Sequence, residues 1–107
     1  MRILLDEQLP RQLAPYLLGQ DVRTVQQQGW AGLKNGVLLR QAVASGFEAF
    51  LTSDQNLEFQ QNLTNAELLI MVLVARTNKL EDLLPLVPAI LSALLDCGDA
   101  RLLRIGA

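Results

Sequence analysis

The sequence predicts a single-domain, three-layer α/β/α fold over residues 1–107, with helices on both faces of a mainly parallel sheet of about five strands. Three observations predict it. Unbroken apolar runs recur at Ile3–Leu5, Ala49–Leu51 and Leu68–Ala75, and runs that do not alternate belong to strands buried on both faces. Stretches with apolar residues at helical spacing separate these runs. Two of the runs lead into carboxylates, Asp6-Glu7 and Asp54, and the carboxyl ends of strands are where open α/β sheets place their chemistry.

Ile3-Leu4-Leu5 predicts the first strand. Leu9, Leu13 and Leu17 then fall on one helical face, with Pro10 tolerated in the first turn, Pro15 bending the helix and Gly19 stopping it. Val22–Val25, rich in β-branched residues, predicts a short second strand. A loop through Gln26, Gln27, Gln28 and Gly29-Trp30-Ala31-Gly32 follows, with Trp30 read as a plug over the core. A helix is expected from about Gly36 to Ser45, closed by Gly46. Ala49–Thr52 is the third strand, and residues 54 to about 61 form a short helix or turn. Leu68–Ala75 reads as a central parallel strand. Asn78, with Glu81 three residues on, has the form of a helix cap. The long apolar face from Leu80 to Leu94 is interrupted by Pro85 and Pro88, so a break is expected near Pro85. Arg101–Ile105 is a last, partly polar strand at an edge. Strictly alternating elements of this kind call for parallel strands joined by right-handed crossovers.

Composition narrows the function. Half of the residues are hydrophobic and 19% are charged, which argues for a packed core and against disorder. A net charge of −2 and a pI near 4.9 do not make the broad basic field of a non-specific nucleic-acid binder, although metal ions can supply positive charge locally. Cys97 is the only cysteine, so no intrachain disulfide forms and a reducing, cytoplasmic setting is expected. With no histidine, imidazole chemistry is excluded. The opening Met-Arg-Ile-Leu-Leu-Asp does not make a signal peptide, and no apolar run reaches the ~20 residues of a membrane helix.

The candidate chemistry lies in Asp6 and Asp54, the expected catalytic acids. Asp6 stands too early to cap the helix after it, and its side chain is expected to be partly solvent-facing in a cleft. Glu7 is either that helix's cap or a further acid. Asp54 precedes a helical stretch and can serve as N-cap, as functional acid or as both, with Thr52 and Ser53 placed to brace its carboxylate. Two carboxylates about 4 Å apart repel by about 4 kcal/mol at an effective dielectric near 20, which a proton, a cation or a basic side chain relieves. Oxygen ligands without histidine or thiolate suit Mg²⁺ or Mn²⁺, the ions of phosphoryl chemistry. Glu58 is either a further acid on the helical face of Asp54 or a solvated surface residue. Arg76, after the fourth strand, is a candidate for substrate phosphate, with solvation as the alternative. No glycine-rich phosphate loop is present.

Leu4-Leu-Asp-Glu-Gln-Leu-Pro10, Gly29-Trp-Ala-Gly-Leu33 and Leu51-Thr-Ser-Asp-Gln-Asn-Leu57 resemble, in order and spacing, the small PIN-like proteins of a bacterial domain-of-unknown-function class. The likeness spans roughly residues 1–95. It implies a metal-dependent ribonuclease, the toxin component of a toxin–antitoxin pair, with an RNA substrate, an antitoxin protein as partner, no membrane association and homodimer formation open. Carried over by position, the resemblance makes Asp6, Glu7, Asp54 and Asn56 the metal ligands. Relatives often have an acid where this chain has Lys34 and Asn35, and a second aspartate where it has Asn56. Those replacements thin the acidic site and raise a rival, a catalytically inert PIN-like module for binding or dimerisation. A further rival is the phosphoacceptor receiver domain, in which Asp6-Glu7, Asp54 and Thr77 fill the key positions. Receivers need a lysine after strand five, and this chain reads Arg104-Ile105-Gly106-Ala107 there.

If the lost acids thinned the site, restoring them strengthens it. Asn35→Asp combined with Asn56→Asp should bind Mn²⁺ more tightly than the natural chain, because each carboxylate adds charge to the same oxygen donor. Calorimetric titration checks this, and unchanged affinity would place both positions away from the acid pair.

Overall fold

The computed structural model describes residues 1–55, 68–96 and 102–106 of the chain. Its strands are β1 (Arg2–Leu5), β2 (Asp21–Thr24), β3 (Ala49–Thr52), β4 (Leu69–Val74) and β5 (Leu102–Gly106). They form one parallel sheet in the order β2-β1-β3-β4-β5. The connection after β1 leads to one side of it, and the connection after β2 returns past β1 to reach β3 on the other. The winding thus reverses between β1 and β3, and at such a switch point a crevice opens outside the carboxyl ends of the two strands.

The sheet is covered on both faces, as the unbroken apolar runs require. Ile3, Leu5, Leu51 and Met71 face Leu13, Leu83 and Ile90 from the segments after β1 and β4. Leu4, Phe50, Ile70 and Val72 face the other way, against Leu38 and Ala42 of helix α1 (Asn35–Ala44). Gly46 ends α1 with a φ of +84°, a left-handed conformation that glycine adopts without Cβ strain. Trp30 packs on this second layer, edge-on to Phe47 with ring centroids 5.9 Å apart, and so plugs the core as expected.

Several local expectations are corrected. The segment after β1 is a 3-10 helix, Arg11–Tyr16, rather than a bent α-helix. Pro15 has no N–H to donate and its ring crowds the carbonyl four residues back, so the turns tighten. The Leu13 N–H donates to the Pro10 carbonyl at 3.0 Å and the Leu17 N–H to the Ala14 carbonyl at 3.1 Å. The break near Pro85 is present: α2 (Leu80–Leu83) gives way to a 3-10 turn, Leu84–Leu86, and then to α3 (Val87–Leu95). Asn78 does not cap α2, because the cap position is Lys79, one residue later. The Thr77 hydroxyl instead accepts the Lys79 N–H at 3.1 Å and donates to Asp82. The described parts of the β1–β2 and β4–β5 connections share one face yet lead to opposite ends of the sheet. Crossovers so arranged have opposite hands, so the expectation of uniformly right-handed connections fails. Asp54 and Gln55 lie outside any helix, and the rest of the helix or turn expected there is outside the described residues. Among the described residues no helix is long and apolar enough to cross a membrane.

Two adjacent leucines test the layer on the α3 side. Leu94 is 7% exposed and Leu95 is 87% exposed. Leu94→Ala should lower unfolding stability by about 2–5 kcal/mol through the lost contacts and the cavity left behind. Leu95→Ala should change it by no more than about 0.5 kcal/mol in the same urea titration.

Candidate functional site

β1 and β3 are paired neighbours, with Leu5 opposite Leu51. One residue on, the Asp6 N–H donates to the Leu51 carbonyl at 2.9 Å, so the sheet itself fixes the backbone from which this carboxylate projects. The chain then turns, with the Leu9 N–H donating to the Asp6 carbonyl at 3.0 Å. Asp6 is only 7% exposed, rather than partly solvent-facing as the sequence suggests. Its Oδ1 accepts the Glu7 N–H at 2.8 Å and its Oδ2 accepts the Thr52 hydroxyl at 2.6 Å. Burial raises the Asp6 pKa above the usual carboxylate range, because the charged form loses its water. The two hydrogen bonds pull the other way, and the nearby charges of Glu7 and Asp54 add to the rise.

Asp54 is brought to the same edge. Its N–H donates to the Thr52 hydroxyl oxygen at 3.1 Å, and its carboxylate accepts the Asn35 side-chain amide at 3.4 Å. Asn35 is the first residue of α1, whose cap position, Lys34, makes no side-chain capping bond. The positive end of the helix dipole therefore lies at the edge that carries Asp54. The two hydroxyls expected to brace the Asp54 carboxylate turn elsewhere, Thr52 to Asp6 and Ser53 to the Gln8 Oε1 at 3.1 Å.

The remaining candidates divide. Glu7 is exposed beside Asp6, and its carbonyl accepts the Gln26 amide at 3.4 Å. Arg76 is exposed two residues beyond the end of β4, on the same side of the sheet as the acids. Lys34 is exposed at the α1 cap. Asn56, Glu58 and Cys97 lie outside the described residues. Among the described residues, no three His, Cys, Asp or Glu side chains come together as a metal-holding group. Mg²⁺ does not require such a group, since one or two carboxylates with retained waters and substrate phosphates suffice. Asp6 and Asp54, with the Asn35 amide oxygen once that group turns, fit a hydrated ion of this kind.

Sequence reasoning missed the partners of Thr52 and the contact made by Asn35. A signal for the first was present: Thr52 is a polar residue closing an apolar strand, and a buried hydroxyl must find partners. Comparison with family models, curated proteins and solved structures finds no match to this chain.

The raised Asp6 pKa fixes the sign of a pH effect. The native chain keeps this proton to higher pH than the unfolded chain does, so between the two pKa values it binds more protons. Its contribution to stability therefore falls as pH rises through that window, and the loss is complete above the folded value. Asp6→Asn removes the penalty. Melts between about pH 3 and pH 8 should show the variant gaining on the natural chain as pH rises. A difference that stays constant with pH would mean that burial does not perturb Asp6.

Proposed function

We propose that the chain is a PIN-like, Mg²⁺- or Mn²⁺-dependent ribonuclease that hydrolyses RNA phosphodiester bonds at the carboxyl edge of the sheet. The observation that carries this reading is the meeting of Asp6 and Asp54 across the β1–β3 switch point, tied through one hydroxyl. The order of the three motifs supports it. A bound divalent ion would supply Lewis acidity and an ionised water for in-line attack. Asp6 and Asp54 would hold it, with Glu7 and Asn56 as further oxygen donors. The charge of a bound ion would offset the burial that raises the Asp6 pKa. Arg76 meets a phosphate oxygen of the RNA with charge-assisted hydrogen bonds. In this reading the chain is the toxin half of a cytoplasmic toxin–antitoxin pair, and an antitoxin protein covers the acidic edge.

One observation favours a second reading, an inert PIN-like module. Asn35 already donates to Asp54, and no third acid joins the pair among the described residues. The receiver reading has less support. The strand order suits it, but the Thr77 hydroxyl is engaged by Asp82 at the start of α2.

Mn²⁺ titration with single-stranded RNA cleavage separates the two leading readings. The ribonuclease should bind Mn²⁺ and cleave, and Asp6→Ala or Asp54→Ala should each weaken binding by about tenfold or more, roughly 1.4 kcal/mol per lost ligand. A natural chain without Mn²⁺ binding in the millimolar range, and without cleavage, is the inert module.

A further inference from the structure

We propose that Thr52 is the positioning residue that makes Asp6 and Asp54 a single site, an inference that rests on the ribonuclease reading for its functional consequence. Thr52 is the last residue of β3 and is fully buried. Its backbone is held in register with Val72 of β4, so the hydroxyl starts from a fixed point. A hydroxyl has one hydrogen and two acceptor lone pairs. The hydrogen goes to the Asp6 carboxylate at 2.6 Å, within the range of charge-assisted bonds. With that hydrogen committed, a lone pair is left facing the Asp54 N–H, which donates to it at 3.1 Å. Rotating the hydroxyl toward either partner alone breaks a buried bond with the other.

The choice of partners separates this role from simple satisfaction of a buried group. A buried threonine in a strand can bond a backbone carbonyl of its own or a neighbouring strand. Here both bonds go to the two residues expected to hold the cation, one to a side chain and one to the backbone of the other. The hydroxyl thereby sets where Asp54 leaves the sheet relative to the face of Asp6. Asp6 also accepts the Glu7 N–H, and the Asp54 carboxylate accepts the Asn35 amide.

Thr52→Val keeps the shape and removes the hydroxyl, whereas Thr52→Ser keeps the hydroxyl and removes a methyl group. Two readouts are taken on the natural chain and both variants: amide hydrogen exchange at Asp54, and the Mn²⁺ concentration giving half-maximal RNA cleavage. Exchange at Met71, in the middle of β4, reports whether the fold is intact. Thr52→Val should speed Asp54 exchange and raise the half-maximal Mn²⁺ concentration, each by about tenfold, with the KM for RNA changed much less. Thr52→Ser should restore both to near the natural values. Equal behaviour of the two variants, or Asp54 exchange untouched in Thr52→Val, overturns the proposal. If the natural chain shows no Mn²⁺-dependent cleavage, the ribonuclease reading falls, and the Asp54 exchange rates alone decide whether Thr52 positions the pair.

Discussion

The in-register pairing of β1 with β3 is the constraint on which the rest of this structure depends. All four residues of β3 are buried, and three of the four in β1. Covering both faces of such strands demands a layer of chain on each side, and burying a side chain the size of Phe50 or Leu51 contributes about 1.5–3 kcal/mol. The same pairing ends in two polar residues, Asp6 and Thr52, that have no water to turn to. A buried hydroxyl or carboxylate left without a partner costs about 1–3 kcal/mol or more. The bond between them removes that cost, so the core tolerates a polar end only because both strands bring one.

Charge is distributed unevenly between the two edges of the sheet. The ion pairs among the described residues, Arg2 and Arg23 with Asp21, gather at the start of β2. Arg2 is further held over the Phe47 ring, 4.4 Å from its centroid, and donates to the Ser45 carbonyl. Exposed pairs of this sort contribute about 0–1 kcal/mol, but they keep two cations occupied away from the acids. At the carboxyl edge the neighbouring charges of Asp6 and Asp54 are met by neutral donors, the Glu7 N–H and Thr52 hydroxyl on Asp6 and the Asn35 amide on Asp54. A proton and a metal ion are alternative answers to the same electrostatic problem, which is why affinity for one opposes occupancy by the other.

The strands were legible because a period of two, or its absence, is a local property. The break at Pro85 was legible for the same reason, since proline acts on the turn that contains it. What the sequence did not carry was long-range. Nothing in Ile3-Leu4-Leu5 says that β3 rather than β2 supplies the partner for Asp6, yet that neighbour makes the site. The hydroxyl of Thr52 pointed to Asp54 by proximity in the chain, but the partner 46 positions away took its hydrogen. Asn78 satisfied the pattern of a cap and missed the position by one residue, because the turn at Thr77 fixes where α2 begins. The handedness of the crossovers is likewise set by how layers assemble rather than by any one segment.

Asn35 shows what an amide, rather than an acid, does beside Asp54. An aspartate there would add a third negative charge beside Asp54, and without a cation that charge would push the start of α1 away from the edge. The amide donates to Asp54 instead, so part of the neutralisation that a metal ion would supply is built into the helix. An amide here lacks the charge that an acid would add to attract a cation. An acid at this position and an amide at this position thus favour opposite states, one assembled by its cation and one assembled in advance. At Asp54 the position holds an amide, and an ion bound there would compete with the Asn35 hydrogen bond.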